Sequence, residues 1–395
     1  MLKVLFIFGT RPEAIKMAPL IQGMARHHNS FTSLVCITAQ HRQMLDQVLE
    51  LFRIVPDYDL NVMEDNQSPT QVASAVLSKL EAVLKRERPD WVLVQGDTTS
   101  AAAAAWAAFH AGAKVGHVEA GLRTGDKWQP FPEELNRRMT TLIADLHFAP
   151  TEQSRRNLLK EGVSDEHIMV TGNPVVDALR WALRHEPTTV ITDLFHRLRK
   201  NVTTDERSKH PHTKRTKFKT NHQTPKIILV TAHRRENFGQ PLENICTALR
   251  TIAENYGRQV QVIFLVHPNP NVAGIVSRML SDVSGVTLMS PLDYVSMAHL
   301  LNESYLVVTD SGGLQEEATS LGKPILVIRK VTDRPESVEA GTARVVGVEN
   351  ETIIKHLTNL LDDARAYQTM AKADSAFGEG EATQKIISAL LNFRS

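Results

Sequence analysis

Cysteine is nearly missing from this 395-residue chain: there are two, Cys36 in an apolar run and Cys246 in a helical pattern. That excludes a disulfide framework and the usual cysteine-rich zinc sites, leaving two buried free thiols in a reducing cytosol as the expectation. An excess of charge of either sign is missing too, with 45 Lys+Arg against 44 Asp+Glu for a formal charge of +1. No global field then draws the chain to nucleic acid or anionic lipid, and any anion site has to be local. No apolar run reaches the roughly 18 residues that a membrane-crossing helix needs. The first run, Leu2 to Phe8, is short and passes into Gly9-Thr10-Arg11-Pro12-Glu13 without a small-residue cleavage pattern, so it reads as a buried strand of a cytoplasmic protein. Neither GxGxxG nor GxxxxGKS/T occurs, which removes the usual support for NAD or ATP. The scattered histidines form no HExxH and have no cysteine partner, so no catalytic metal is expected.

Hydrophobic residues at 42% and charged residues at 23% match soluble globular proteins, and the length suits two domains, each able to bury its own core. Short apolar runs recur at Leu2–Phe8, Ser33–Thr38, Trp91–Val94, Val115–Val118, His147–Ala149 and Ile168–Thr171, with helical spacing between them at Pro69–Leu84, Ser100–His110 and Glu133–Ile143. Continuous rather than alternating apolar strands predict a parallel sheet covered on both faces. The rhythm restarts at Ile227–Thr231, Val260–Val266, Val286–Leu288, Leu306–Thr309 and Ile325–Ile328. The expected fold is α/β, two Rossmann-like doubly wound domains facing a cleft. The expected divisions are 1–185 for the first domain, 186–225 for a basic polar linker, 226–365 for the second domain, and 366–395 for a helical segment packing back on the first. The polar stretch from Arg197 to Lys226 reads as a solvated loop without function of its own.

Ligands of open parallel sheets sit at the carboxyl ends of the strands, where helix N-termini present free N–H groups. Polar residues follow the expected strands at Gly9-Thr10-Arg11, Gly96-Asp97, Glu119, His233-Arg234-Arg235-Glu236, His267 and Asp310-Ser311-Gly312-Gly313. Any one of them can be a simple helix cap; six on one edge favour a shared site. Arg11 can fork onto phosphate oxygens and Lys16 follows about one turn later. Gly312 and Gly313 let the backbone approach a diphosphate, and Glu317 can accept from ribose hydroxyls. Asp97, Glu119 and Glu133 supply carboxylates for acid–base work, with Arg123, Arg137 and His233 to balance them.

Taken together, GTRPEAIKMAPL from Gly9, QGDTTS from Gln95, HVEAGLRTGD from His117, PFPEELNRR from Pro130, TGNPVVDAL from Thr171, TAHRRENFG from Thr231, VHPNP from Val266, TDSGGLQEEA from Thr309 and RPESVEAGT from Arg334 resemble the non-hydrolysing bacterial UDP-N-acetylglucosamine 2-epimerases. The resemblance covers nearly the whole chain except roughly residues 190–225. It implies the GT-B type of fold, a homodimer, and interconversion of UDP-GlcNAc and UDP-ManNAc by anti elimination of UDP to 2-acetamidoglucal and re-addition, without a cofactor. It implies Asp97, Glu119 and Glu133 as acid–base groups, with His233 at the diphosphate or sugar. Arg11, Lys16, Arg123, Arg137, Ser311, Gly312, Gly313 and Glu317 are implied as substrate-binding positions. Some members hold a second UDP-GlcNAc as an activator, and Gln40, Gln43, Arg234 and His267 match that pocket, while Asn66 stands where arginine is usual. Arg329-Lys330-Val331-Thr332-Asp333 departs from an RDTTE-like pattern.

Other classes remain. A hydrolysing epimerase releases free ManNAc and opens on a GDRxE-like motif rather than GTRPE. A GT-B glycosyltransferase needs an acceptor. A nucleotide-binding regulator leaves the carboxylates without work.

Overall fold

Strands buried on both faces pair in parallel because the crossover helices cover them. In this protein the central strand Leu2–Phe8 (β1) is wholly buried from Val4 to Phe8. The computed structural model describes residues 1–40, 42–64, 67–200 and 224–393, the side chains of Gln43 and Lys200 apart. Two compact units result, Met1–Trp181 with Ser375–Ser395, and Ala182–Asp374.

The first unit adds Phe31–Ile37 (β2), Tyr58–Asp59 (β3), Trp91–Gln95 (β4), Lys114–Val118 (β5), Leu146–Ala149 (β6) and Ile168–Val170 (β7) to β1. The order is β3-β2-β1-β4-β5-β6-β7, parallel throughout. The second unit holds Lys226–Thr231 (β8), Val260–Leu265 (β9), Val286–Met289 (β10), Leu306–Thr309 (β11), Ile325–Val327 (β12) and Ala343–Val345 (β13) in the order β10-β9-β8-β11-β12-β13, again parallel. Both are doubly wound, and their strand order reverses between β1 and β4 and between β8 and β11. A ligand site is expected outside the carboxyl ends at those two points.

Local chemistry sets the helix starts there. Thr10, Pro12 and Glu13 make a capping box with proline in the first turn of Arg11–Ala25, and the Thr98 hydroxyl accepts from Ala101 N at 3.0 Å to start Thr99–His110. Gly9 is required by the close approach of the next strand, since a Cβ there would lie 1.8 Å from Thr38 Oγ1. The last helix, Ala382–Asn392, packs on Arg11–Ala25, where a Cβ on Gly23 would meet Thr383 at 2.7 Å and Ile387 at 2.9 Å. Asp177 accepts from Ala382 N at 3.2 Å and Thr383 N at 3.0 Å, fixing that helix start. No helix among the described residues is long and apolar enough to cross a membrane.

The divisions expected from the sequence need correction. Residues 186–225 are not all linker. Thr189–Lys200 is a helix whose Ile191, Leu194 and Leu198 are buried in the core of the second unit beside Leu229, Ile263 and Leu301. Polar composition hid that apolar stripe. Of the basic stretch, residues 201–223 lie outside those described. The second unit extends to Asp374, because Met370 is buried in its core and Tyr367 stacks on Tyr305 at 3.9 Å, so the return to the first unit starts at Ser375 rather than 366.

Candidate functional site

At the reversal point of the first unit, the loop after β1 is held from within its own helix. Glu13, 2% exposed, accepts from Gly9 N at 2.9 Å, Thr10 N at 2.7 Å and the Thr98 hydroxyl at 2.6 Å. Burial pushes its carboxyl up, against these hydrogen bonds, which favour the anion. The next two strands end in carboxylates. Asp97, after β4, accepts from Arg137 Nε at 2.9 Å and Nη2 at 2.7 Å, and Asn136 Nδ2 donates to its main-chain oxygen at 2.9 Å. Arg137 also reaches Glu134 at 3.3 Å. Glu119, after β5, has a left-handed backbone with φ of 67°, a sparsely populated conformation for a residue with a side chain. Its Oε2 is shared by Lys16 Nζ and by Asn173 Nδ2, the latter at 2.6 Å. Lys16 and Glu119 are both buried.

A carboxylate in so dry a place costs far less when a cation and a neutral donor meet it. Glu133, at the start of the helix Glu133–Ile143 that follows the same strand, β5, is half-buried, and its Oε2 is buried without a hydrogen-bond partner among the described residues. Such an acceptor is costly unless a ligand hydroxyl or water meets it.

Two histidines lie beneath these strand ends. His117 and His147 face each other across β5 and β6, both buried. His117 Nε2 donates to Gly96 O at 2.7 Å, bracing the turn that carries Asp97. Burial lowers His117 to about 4 and His147 to about 3, so both are neutral at pH 7.

In the second unit the reversal point is built from main-chain donors. Asp310, fully buried after β11, accepts at Oδ2 from His233 N and Arg234 N, both at 2.8 Å, and from Asn237 Nδ2 at 2.9 Å. Its Oδ1 lies 3.2 Å from His233 Nδ1 without hydrogen-bond alignment. The His233 ring stacks on His267 at 5.8 Å, and burial pulls its proton affinity down against the attraction of Asp310. Ser311 caps Gly312–Ser320 with no side-chain hydrogen bond to the helix. A Cβ on Gly312 would meet Asp333 Oδ1 at 3.2 Å, while one on Gly313 would meet nothing within 4 Å. The first N–H groups of this helix are therefore presented at a strand end, the arrangement that receives phosphate elsewhere. Glu317, one turn in and 8% exposed, accepts from Tyr294 Oη at 2.8 Å. Beneath the glycine pair, Arg334 is paired with Glu316 and Arg329 with Glu236.

A sequence model described as UDP-N-acetylglucosamine 2-epimerase matches residues 24–391. The chain belongs to the UDP-N-acetylglucosamine 2-epimerase family. The Escherichia coli O157:H7 UDP-N-acetylglucosamine 2-epimerase is 48% identical over 397 residues, covering 100% of this chain and 99% of the relative. The crystal structure of the Neisseria meningitidis UDP-GlcNAc 2-epimerase bound to UDP-GlcNAc superposes with a TM-score of 0.86 at 44% identity, over 99% of this chain and 100% of that one. That of the Methanocaldococcus jannaschii UDP-GlcNAc 2-epimerase, in complex with UDP-GlcNAc and UDP, gives a TM-score of 0.80 at 30% identity, over 98% and 99%. The two doubly wound sheets are those of this 2-epimerase fold.

Within this 2-epimerase family member, Asp97 meets Arg137, and Glu119 meets Lys16. Lys16, a phosphate-binding position by the sequence, lies here against a carboxylate. Arg11 opens the first helix, half-buried. Arg123, expected to balance the carboxylates, closes on Glu161 instead at 2.8 and 2.7 Å, with Thr141 and Leu122 O taking its other donors, and holds the Glu161 carboxyl below its usual range. Gln40 accepts from Ser100 Oγ at 2.8 Å. Arg234 and His267 flank His233, and Arg234 Nε is buried without a partner among the described residues. The Gln43 side chain and Asn66 lie outside those residues. Glu13 was missed as a site residue, although Thr10 followed by Glu13 three positions on is a capping-box signal. Asn173 and the scaffolding role of Asp310 had no local signal.

Proposed function

We propose that this chain is a non-hydrolysing UDP-GlcNAc 2-epimerase. A carboxylate takes the C2 proton while the bond from C1 to the UDP oxygen breaks, giving 2-acetamidoglucal and UDP. A second carboxyl then delivers a proton to the opposite face of C2 as UDP adds back at C1. Asp97, Glu119 and Glu133 are the acid–base groups. The observation that carries this reading is that Asp97 and Glu119, on neighbouring strand ends, are each held against a buried cation, Arg137 and Lys16. Carbon acids next to no carbonyl need such a held, desolvated base. Arg11, His233 and the Ser311-Gly312-Gly313 start serve the diphosphate and Glu317 the ribose, with Arg137 as a substrate-side residue through Asp97. No cofactor takes part.

The protein acts as a cytoplasmic homodimer. A second UDP-GlcNAc at Gln40, Gln43, Arg234 and His267 is its activator. Incubation with UDP-GlcNAc in deuterated water tests the chemistry: UDP-ManNAc carrying deuterium at C2 is expected. Free ManNAc would make it a hydrolase, and activity only with an added acceptor would make it a transferase.

A further inference from the structure

The motif from Thr171 has no part in the chemistry above, yet it puts a buried amide on Glu119. Asn173 is fully buried, and its Nδ2 donates to Glu119 Oε2 at 2.6 Å, the same oxygen that Lys16 meets. The amide orientation is fixed independently, because its Oδ1 accepts from Val175 N at 3.2 Å, so a flipped amide would set an oxygen against the carboxylate and an N–H₂ against an N–H. The main chain at Asn173 is fixed in turn by the returning end of the chain: Asn173 N donates to Phe377 O at 2.8 Å. That contact needs two glycines. A Cβ on Gly172 would lie 3.0 Å from Phe377 O and 3.0 Å from Gly378 Cα, and one on Gly378 would lie 2.9 Å from Gly172 Cα. Phe377, fully buried against Val175 and Val176, seats the segment.

We infer that Asn173, held by the Phe377–Gly378 return segment, is the positioning residue for the Glu119 carboxylate. Lys16 supplies the charge that keeps the anion in the dry site, and Asn173 supplies direction without charge. Two donors on Oε2 fix the carboxylate plane and set Oε1 on the Gly96 side, where a Cβ on Gly96 would stand 3.8 Å from it. The left-handed backbone of Glu119 is thereby matched by a side chain that has one rotamer to occupy. This rests on the acid–base role of Glu119 proposed above.

The test is the pH profile of Asn173→Asp and Asn173→Ala with UDP-GlcNAc. Asp places a second carboxyl against Glu119 with one proton to share, and moves the acid limb of kcat upward by about one pH unit or more. Ala lowers kcat by about tenfold with KM changed less than about twofold, the signature of lost positioning rather than lost binding. An acid limb and kcat like wild type in both variants would overturn the inference. If either variant does not fold, the Asn173 side-chain ¹⁵N–H₂ signals of the wild type decide. They are expected to shift as Glu119 titrates and to stay put in Glu119→Gln; signals that ignore Glu119 would overturn it. Wild-type turnover in Glu119→Gln would instead remove the acid–base role of Glu119, whatever Asn173 does.

Discussion

The two reversal points occupy the same topological position in their sheets and solve the same local problem with different residues. In the first unit, the loop after β1 has its N–H groups capped by Glu13, one turn along the same helix. The carboxylate of the neighbouring strand, Asp97, is left to meet Arg137. In the second unit, the loop after β8 has its N–H groups capped by the neighbouring strand's carboxylate, Asp310. An aspartate at equivalent strand ends thus pairs with an arginine side chain in one unit and holds main-chain N–H groups in the other. What decides is whether the adjacent loop supplies its own cap. The first unit gathers titratable side chains, and the second gathers main-chain donors at a glycine-opened helix start, which suits it to bind an anion and not to move protons.

If this division of labour holds, the largest effects follow substitution of the first unit's carboxylates. Asp97→Asn and Glu119→Gln should each lower turnover by about 10²-fold or more, the scale of lost acid–base catalysis, with UDP affinity by calorimetry within about twofold of wild type. Asp310→Asn sharpens the contrast. It should lower UDP affinity and thermal stability together, because two main-chain N–H groups lose a charged acceptor, a loss of about 1–3 kcal/mol in urea unfolding. Next comes Gly313→Ala. The added methyl meets no protein atom within 4 Å, so the melting temperature should not move. UDP affinity should fall by about tenfold, since the methyl stands where a phosphate would approach the helix start. Unchanged affinity would break the second unit's half of the comparison.

At pH 7 the smallest effect concerns the histidines, whose contribution shows only in acid. His117 and His147 are harder to protonate folded, at about 4 and about 3, than unfolded, near the ordinary imidazole value of 6.5. Below that value the unfolded chain binds more protons, so stability present above pH 6.5 is lost as pH falls towards those folded values. His147→Phe should leave stability at pH 7 little changed and remove part of the loss, about 2–3 kcal/mol at pH 4.5 by urea unfolding. Parallel curves for the two proteins would contradict burial of the neutral imidazole.

Continuous apolar runs made eleven of these strands and the α/β class legible in the sequence, because a strand buried on both faces leaves little room for polar residues. Tyr58–Asp59 and Ala343–Val345 escaped because they are short edge strands with polar members. Thr189–Lys200 escaped because its three buried apolar positions are diluted by charge. The carboxylates could be read from their place after strands, but their partners could not. Lys16 is 103 residues from Glu119, and Asn173 is 54 residues from it. Charge and spacing within the first helix suggested phosphate for Lys16, and its pairing with Glu119 becomes visible only in the fold.

The central claim is that the first unit moves protons while the second holds the nucleotide. Exchange of the C2 hydrogen of UDP-GlcNAc with deuterated water, followed in Glu119→Gln alongside UDP titration of the same sample, tests it most directly. The account predicts exchange slowed by about 10²-fold or more with UDP binding intact; wild-type exchange, or UDP binding lost together with exchange, would contradict it.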